Sequence, residues 1–70
     1  MPDLCLPVPR GRYHGLYIEM KKENGTTSPD QEWWGEKLRQ LGYAWTVCKG
    51  YEAAIAVLQW YMALPAVMAP

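Results

Sequence analysis

Six residues, Leu16-Tyr17-Ile18-Glu19-Met20-Lys21, constrain this chain more than any other stretch. Leu16, Ile18 and Met20 alternate with Tyr17, Glu19 and Lys21, which is the period of a half-buried strand. Successive side chains on a strand point to opposite faces, so Glu19 and Lys21 share one face and the apolar trio takes the other. Taken alone, a carboxylate and an ammonium two positions apart are an ordinary solvated pair. The preceding segment changes that reading. Asp3-Leu4-Cys5-Leu6-Pro7 also alternates, and Pro9-Arg10-Gly11-Arg12 between the two has turn composition. A hairpin centred near Gly11 sets Pro7 opposite Gly15 and Asp3 opposite Glu19. Directly opposed residues hold their Cβ atoms roughly 5 Å apart on one face, where two carboxylates repel. A divalent cation between them removes the penalty, and carboxylate oxygens are what Mg²⁺ takes. The hairpin therefore reads as a metal site with a lysine beside it, provided that no bulge shifts the register by one.

The rest of the chain supplies a cover for that hairpin. Glu23 to Thr27 is a polar loop with turn residues. Ser28-Pro29-Asp30-Gln31 is a helix start, with Ser at the N-cap, Pro next and Gln three positions on. Helix 29–41 places Gln31, Trp34, Leu38 and Leu41 on one face, and Gly42 suits its left-handed end. Trp33 and Trp34 are read as packing residues. Tyr43 to Cys48 is short, aromatic and β-branched, hence a strand, and a right-handed crossover lays it parallel to 16–21. Lys49-Gly50 is a turn. A second helix runs from Tyr51 to about Ala63, with Ala54, Ile55, Leu58, Tyr61 and Met62 as its apolar face. The order β-β-α-β-α gives an α/β fold, a mixed three-stranded sheet with packed helices. The domain spans residues 1–64, and 65–70 form a tail that covers the core or a partner.

Seventy residues allow one small domain. Seven Lys and Arg balance seven Asp and Glu, so no global basic field announces a nucleic-acid binder. Arg10, Arg12, Lys21 and Lys22 are clustered nonetheless, and could contact phosphates or stand as solvated charges. Cys5 and Cys48 are too few for a disulfide framework or a zinc site, and both sit in apolar runs where a free thiol behaves as a small hydrophobe. His14 is a lone loop histidine without a catalytic role. With no signal peptide and no apolar run near 18 residues, a soluble cytoplasmic protein without a membrane partner is expected.

Pro2-Asp3, then Glu19-Met20-Lys21, then Gln31-Glu32-Trp33-Trp34, then Gly42-Tyr43, in that order and spacing, closely resemble the virus-type replication–repair nuclease (VRR-NUC) family. This family is a branch of the PD-(D/E)xK nucleases, and the similarity runs through most of residues 1–62. The resemblance implies a restriction-endonuclease-like core that hydrolyses phosphodiester bonds in DNA. It implies Mg²⁺ or Mn²⁺ held by Asp3, Glu19 and the backbone carbonyl of Met20, with Lys21 beside the scissile phosphate. Gln31 matches the family's helical glutamine, which projects to the same cleft. Stand-alone viral members resemble Holliday-junction nucleases acting as homodimers, so a viral or prophage source, branched DNA and a twofold pair are expected. Family members usually carry a helix and a strand before the Pro-Asp, and that helix brings another acidic ligand. Here Met1 stands directly before Pro2. The chain is thus expected to be the back two-thirds of the domain, with a sheet edge that favours pairing with another chain. A second expectation follows: a catalytically impaired module that binds DNA or a partner subunit without cutting.

Overall fold

The computed structural model describes residues 2–66. Its elements follow the expected order: β1 (Leu4–Leu6), β2 (Leu16–Lys21), α1 (Pro29–Gln40), β3 (Ala44–Lys49) and α2 (Tyr51–Met62). They form an α+β fold, with one mixed sheet in the order β1-β2-β3. β1 pairs antiparallel to β2, with Leu4 opposite Ile18, Cys5 opposite Tyr17 and Leu6 opposite Leu16. That is the register of a hairpin centred near Gly11, whose φ of 54° marks the turn. β3 pairs parallel to β2 over all six residues, Leu16 facing Ala44 and Lys21 facing Lys49.

The pleat sorts the two faces. Leu16, Ile18, Ala44 and Cys48 point to one side, where Ala54 and Tyr61 of α2 close a small buried core. Tyr61 is the keystone: its ring is wholly buried and its hydroxyl donates to the Val8 carbonyl. Burial raises its pKa above the ordinary tyrosine value, and Arg10 offsets part of that rise. The other face carries Tyr17, Glu19, Trp45 and Val47 under α1. Here the helix must come close, because a Cβ at Gly35 would lie 2.3 Å from the Trp45 ring. Glycine costs a helix interior about 1 kcal/mol relative to alanine. At this position that cost is offset by seating an indole directly beneath the backbone.

Several expected core positions lie outside. Trp33 is 55% exposed and Trp34 44%, so neither packs as expected, and Leu41 is exposed as well. The inward stripe of α1 runs through Gln31, Gly35 and Leu38, and the Trp45 ring fills the space beneath Gly35. On α2, Ile55 and Met62 are also exposed. Its packed stripe is Ala54, Val57, Leu58 and Tyr61, rotated from the expected one because Tyr61 anchors the helix to Val8. Cys5 is exposed on β1 rather than acting as a small hydrophobe, whereas Cys48 is buried. Its thiol pKa is raised by burial. Of the expected tail, Pro65 accepts from the Gly11 N–H at 2.7 Å and Ala66 bridges to Arg10. The remainder, 67–70, lies outside the described residues.

Candidate functional site

Glu19 is the anomaly from which the site is built. It is a carboxylate in the middle of the sheet with 3% of its surface exposed, and a buried charge requires partners. The Gln31 side chain supplies the first, donating from Nε2 to Glu19 Oε1 at 2.7 Å. Lys21 Nζ stands 4.0 Å from the same oxygen. Gln31 also completes the start of α1. Its Oε1 accepts from Ser28 N at 3.0 Å, while its own N–H donates to Ser28 Oγ at 3.2 Å. The two readings of this residue, capping partner and site glutamine, are thus satisfied together, one by each end of a single amide. The helix cap fixes the rotamer that presents the amide nitrogen to Glu19.

Asp3 reaches the same end of β2 by a different route from the expected one. The paired register stops at Leu4, and Asp3 is not a rung opposite Glu19. Instead the backbone bends, its N–H donates to the Ile18 carbonyl at 3.1 Å, and Oδ2 accepts from Met20 N at 2.8 Å. The carboxylate takes the Met20 N–H that no backbone carbonyl of β1 accepts, because the strand pairing has already stopped at Leu4. The N–H and C=O of one strand residue point to the same side, so the Met20 carbonyl faces the Asp3 side too. Among the described residues neither Asp3 Oδ1 nor Glu19 Oε2 has a hydrogen-bond partner. Free carboxylate oxygens and a strand carbonyl are the donors that hard divalent cations take, so this set fits Mg²⁺ or Mn²⁺. No group of three or more His, Cys, Asp or Glu side chains able to hold a metal occurs among the described residues. The candidate ligands are therefore two carboxylates and one carbonyl.

The other expected site residues separate from this centre. Lys22 is exposed just past β2, beside Lys21. Arg12 is exposed in the hairpin loop, with its guanidinium 5.6 Å from the Tyr13 ring centre. Arg10 is not a solvated loop charge. It is half-buried, and its Nε is shielded from solvent without a partner among the described residues. The His14 ring stands edge-on to Tyr43 at 5.8 Å, and its backbone N–H donates to the Gly42 carbonyl. Gly42, at φ 93°, has no room for a side chain because a Cβ there would meet the imidazole at 2.5 Å.

Sequence reasoning missed Arg39 and Trp45. The Arg39 guanidinium lies 5.2 Å over the Trp45 ring and its Nη2 donates to the Trp45 carbonyl at 3.3 Å. The available signal was Gly35, a glycine inside a strong helix pattern, which implies close approach of a bulky neighbour.

A model of the VRR-NUC domain family matches residues 1–52. A solved structure, a VRR_NUC domain protein, is 42% identical and superposes with a TM-score of 0.90, covering 93% of this chain and 54% of its own. This chain spans about half the length of that protein. No protein of curated function matches.

Proposed function

This chain belongs to the VRR-NUC domain family, whose fold is of the nuclease type, and from that premise we propose a metal-dependent DNA endonuclease selective for branched DNA. The observation that carries the reading is the buried Glu19, gripped by Gln31 and neighboured by Lys21, at the strand end where Asp3 meets Met20. In this reading Asp3, Glu19 and the Met20 carbonyl hold Mg²⁺ or Mn²⁺, which supplies Lewis acidity toward phosphate oxygens and acidifies water. Gln31 holds Glu19 in one rotamer, so that its second oxygen stays directed to the ligand side. Lys21 stands beside the scissile phosphate, where an ammonium stabilises the charge that grows as water attacks phosphorus and the P–O bond to the leaving strand breaks. Lys22 and Arg12 steer the flanking phosphates. The chain acts as a homodimer of viral or prophage origin in the cytoplasm, its two centres suiting two symmetric scissile strands. No described helix is long and apolar enough to cross a membrane.

The test is cleavage of a labelled four-way junction against linear duplex, in Mn²⁺ and in EDTA, by the wild type and by Lys21→Ala. Metal-dependent nicking of the junction that disappears in the variant supports the reading; robust cutting by Lys21→Ala overturns the role of Lys21. A second reading is favoured by one observation, the two-carboxylate donor set. It is a module that binds DNA or a partner subunit without cutting, and it predicts salt-sensitive junction binding with no product under either metal.

A further inference from the structure

Farther along α1 from Gln31 the fold encloses a cleft of about 380 Å³, walled by Arg12 and Tyr13 of the hairpin loop, Arg39 of α1, Tyr43 and Trp45 at the start of β3, and Trp60 of α2. No acidic residue lines it, and its only charged groups are the two guanidiniums. Arg39 is held in place from two sides, stacked on Trp45 and bonded to the Trp45 carbonyl. The Trp45 Nε1 is shielded from solvent and lacks an acceptor among the described residues. A cavity with aromatic walls and guanidinium donors, of the size that encloses a small organic ligand, is suited to a flat ring bearing an anion.

We infer that this cleft receives one unpaired nucleotide of the DNA strand, its phosphate on Arg12 and Arg39 and its base against the aromatic walls. The inference rests on the nuclease reading and adds a second anchoring point to it. Guanidinium forks pair with phosphate oxygens, and aromatic faces stack on any unpaired base. The competing occupant is a strand of another protein added to the outer edge of β3. Ala44 N bonds to Gly15 on the β2 side, so Trp45, the next residue, turns its backbone to that outer edge. There its carbonyl is already taken by Arg39, which blunts the edge against strand addition. Arg39 follows Gln31 by eight positions on α1, about 12 Å at about 1.5 Å per residue. At about 3.4 Å per step along one strand of a duplex, this is roughly three to four nucleotides. The cleft therefore sets the cut a fixed few nucleotides from an unpaired position.

The test is a titration in EDTA, where cutting is suppressed, of a labelled oligothymidylate, a blunt duplex and dTMP against the wild type, Arg12→Gln, Arg39→Lys and Trp60→Ala. Arg12 and Trp60 are exposed, so both variants fold, and their circular dichroism serves as the check. Arg12→Gln is expected to weaken oligothymidylate binding and to lower its log–log salt slope by about 0.7, one phosphate contact. Trp60→Ala weakens it by about fivefold or more, while its blunt-duplex binding is unchanged. Arg39→Lys keeps the charge but loses the fork, and weakens the oligonucleotide as well. Equal oligothymidylate binding by all four proteins, or an equal loss on blunt duplex by Trp60→Ala, overturns the inference. So does dTMP binding as tightly as the oligonucleotide, which would make the cleft a free-nucleotide site. The nuclease reading is judged separately by the Lys21→Ala junction assay, so the two can fail independently.

Discussion

Gln31 joins the helix cap to the buried carboxylate, and three substitutions separate its two roles. Ser28→Ala deletes the hydroxyl that accepts from Gln31 N and leaves the amide on Glu19; loss of an N-cap side chain costs about 1 kcal/mol. Gln31→Met keeps the length of the side chain and deletes both of its polar ends. It removes the hydrogen bond to Glu19 Oε1, and bonds to charged groups contribute about 1.5–3 kcal/mol. With half of the capping box gone as well, the expected loss is about 2–4 kcal/mol. At about 0.05–0.15 kcal/mol per residue a chain of this size has roughly 3.5–10 kcal/mol in total, so the loss is measurable. Gln31→Glu preserves an acceptor for Ser28 N but sets a carboxylate against Glu19. Two unit charges about 3 Å apart repel by roughly 5–6 kcal/mol at an effective dielectric constant of about 20. One of the pair avoids part of that cost by binding a proton. A like-charged neighbour raises a carboxyl pKa in the folded state above its unfolded value of about 4.3. The folded variant then holds more protons than the unfolded chain, so its stability is retained below about pH 4 and lost as pH rises through the raised folded value. Urea unfolding of the four proteins at acid and neutral pH provides the measurement. A Gln31→Met protein no less stable than Ser28→Ala would refute a stabilising grip on Glu19. So would a Gln31→Glu protein whose deficit against wild type is the same at both pH values.

Other consequences concern the packing that frames the site. Gly35→Ala gains about 1 kcal/mol of helix propensity, yet its methyl must displace a ring 2.3 Å away. Overpacking of this kind costs about 1–3 kcal/mol, so the urea midpoint should fall, and a midpoint at or above wild type would show that Trp45 moves freely. Cys5 is exposed and Cys48 buried with a raised pKa, so a thiol reagent near neutral pH should label one cysteine in the native protein and two in denaturant; rapid labelling of both in the native state contradicts the packing of β3. Tyr61 has its pKa raised above 10.0 by burial, so folding holds its proton more tightly than the unfolded chain does. That contribution is complete below about pH 10 and is lost as pH climbs through the folded value, so the melting temperature should drop less steeply between about pH 9 and 11 in Tyr61→Phe than in wild type.

How much of this was legible in the sequence depends on the range of the interaction. The hairpin register could be read because period two leaves a single choice once one face must be buried, and Leu16 and Ile18 made that choice. The start of α1 was equally local: Ser28, Pro29 and Gln31 specify a cap through atoms within one turn, and the capping box formed as written. The inward faces of both helices were not local. Period 3.6 permits several apolar stripes when Trp33, Trp34, Leu38 and Leu41 lie together. The stripe that packs was selected by the Trp45 indole beneath Gly35, a partner ten positions away. Likewise Ile55 and Met62 match the pattern of α2 as well as Val57 does. The Tyr61–Val8 bond, across 53 positions, fixed the rotation of that helix.

The same distinction explains the site. Asp3, Glu19 and Lys21 were nameable from the hairpin pattern and Gln31 from the family resemblance, and the fold carries Lys21 and Gln31 to the Glu19 carboxylate and Asp3 to the backbone of the adjacent Met20. What spacing could not give is the direction from which each approaches. Asp3 was expected to stand face to face with Glu19 as a cross-strand pair. The β1–β2 pairing stops at Leu4, and the Asp3 side chain turns to accept from the Met20 N–H. One consequence is mechanical: the two carboxylates are positioned by different bonds, one to a backbone amide and one to the Gln31 amide. A change at Gln31 therefore reorients Glu19 while leaving Asp3 in place. In the metal-site reading, Gln31→Met should loosen cation binding without abolishing it, whereas Asp3→Asn removes a ligand charge and leaves the Glu19 geometry intact.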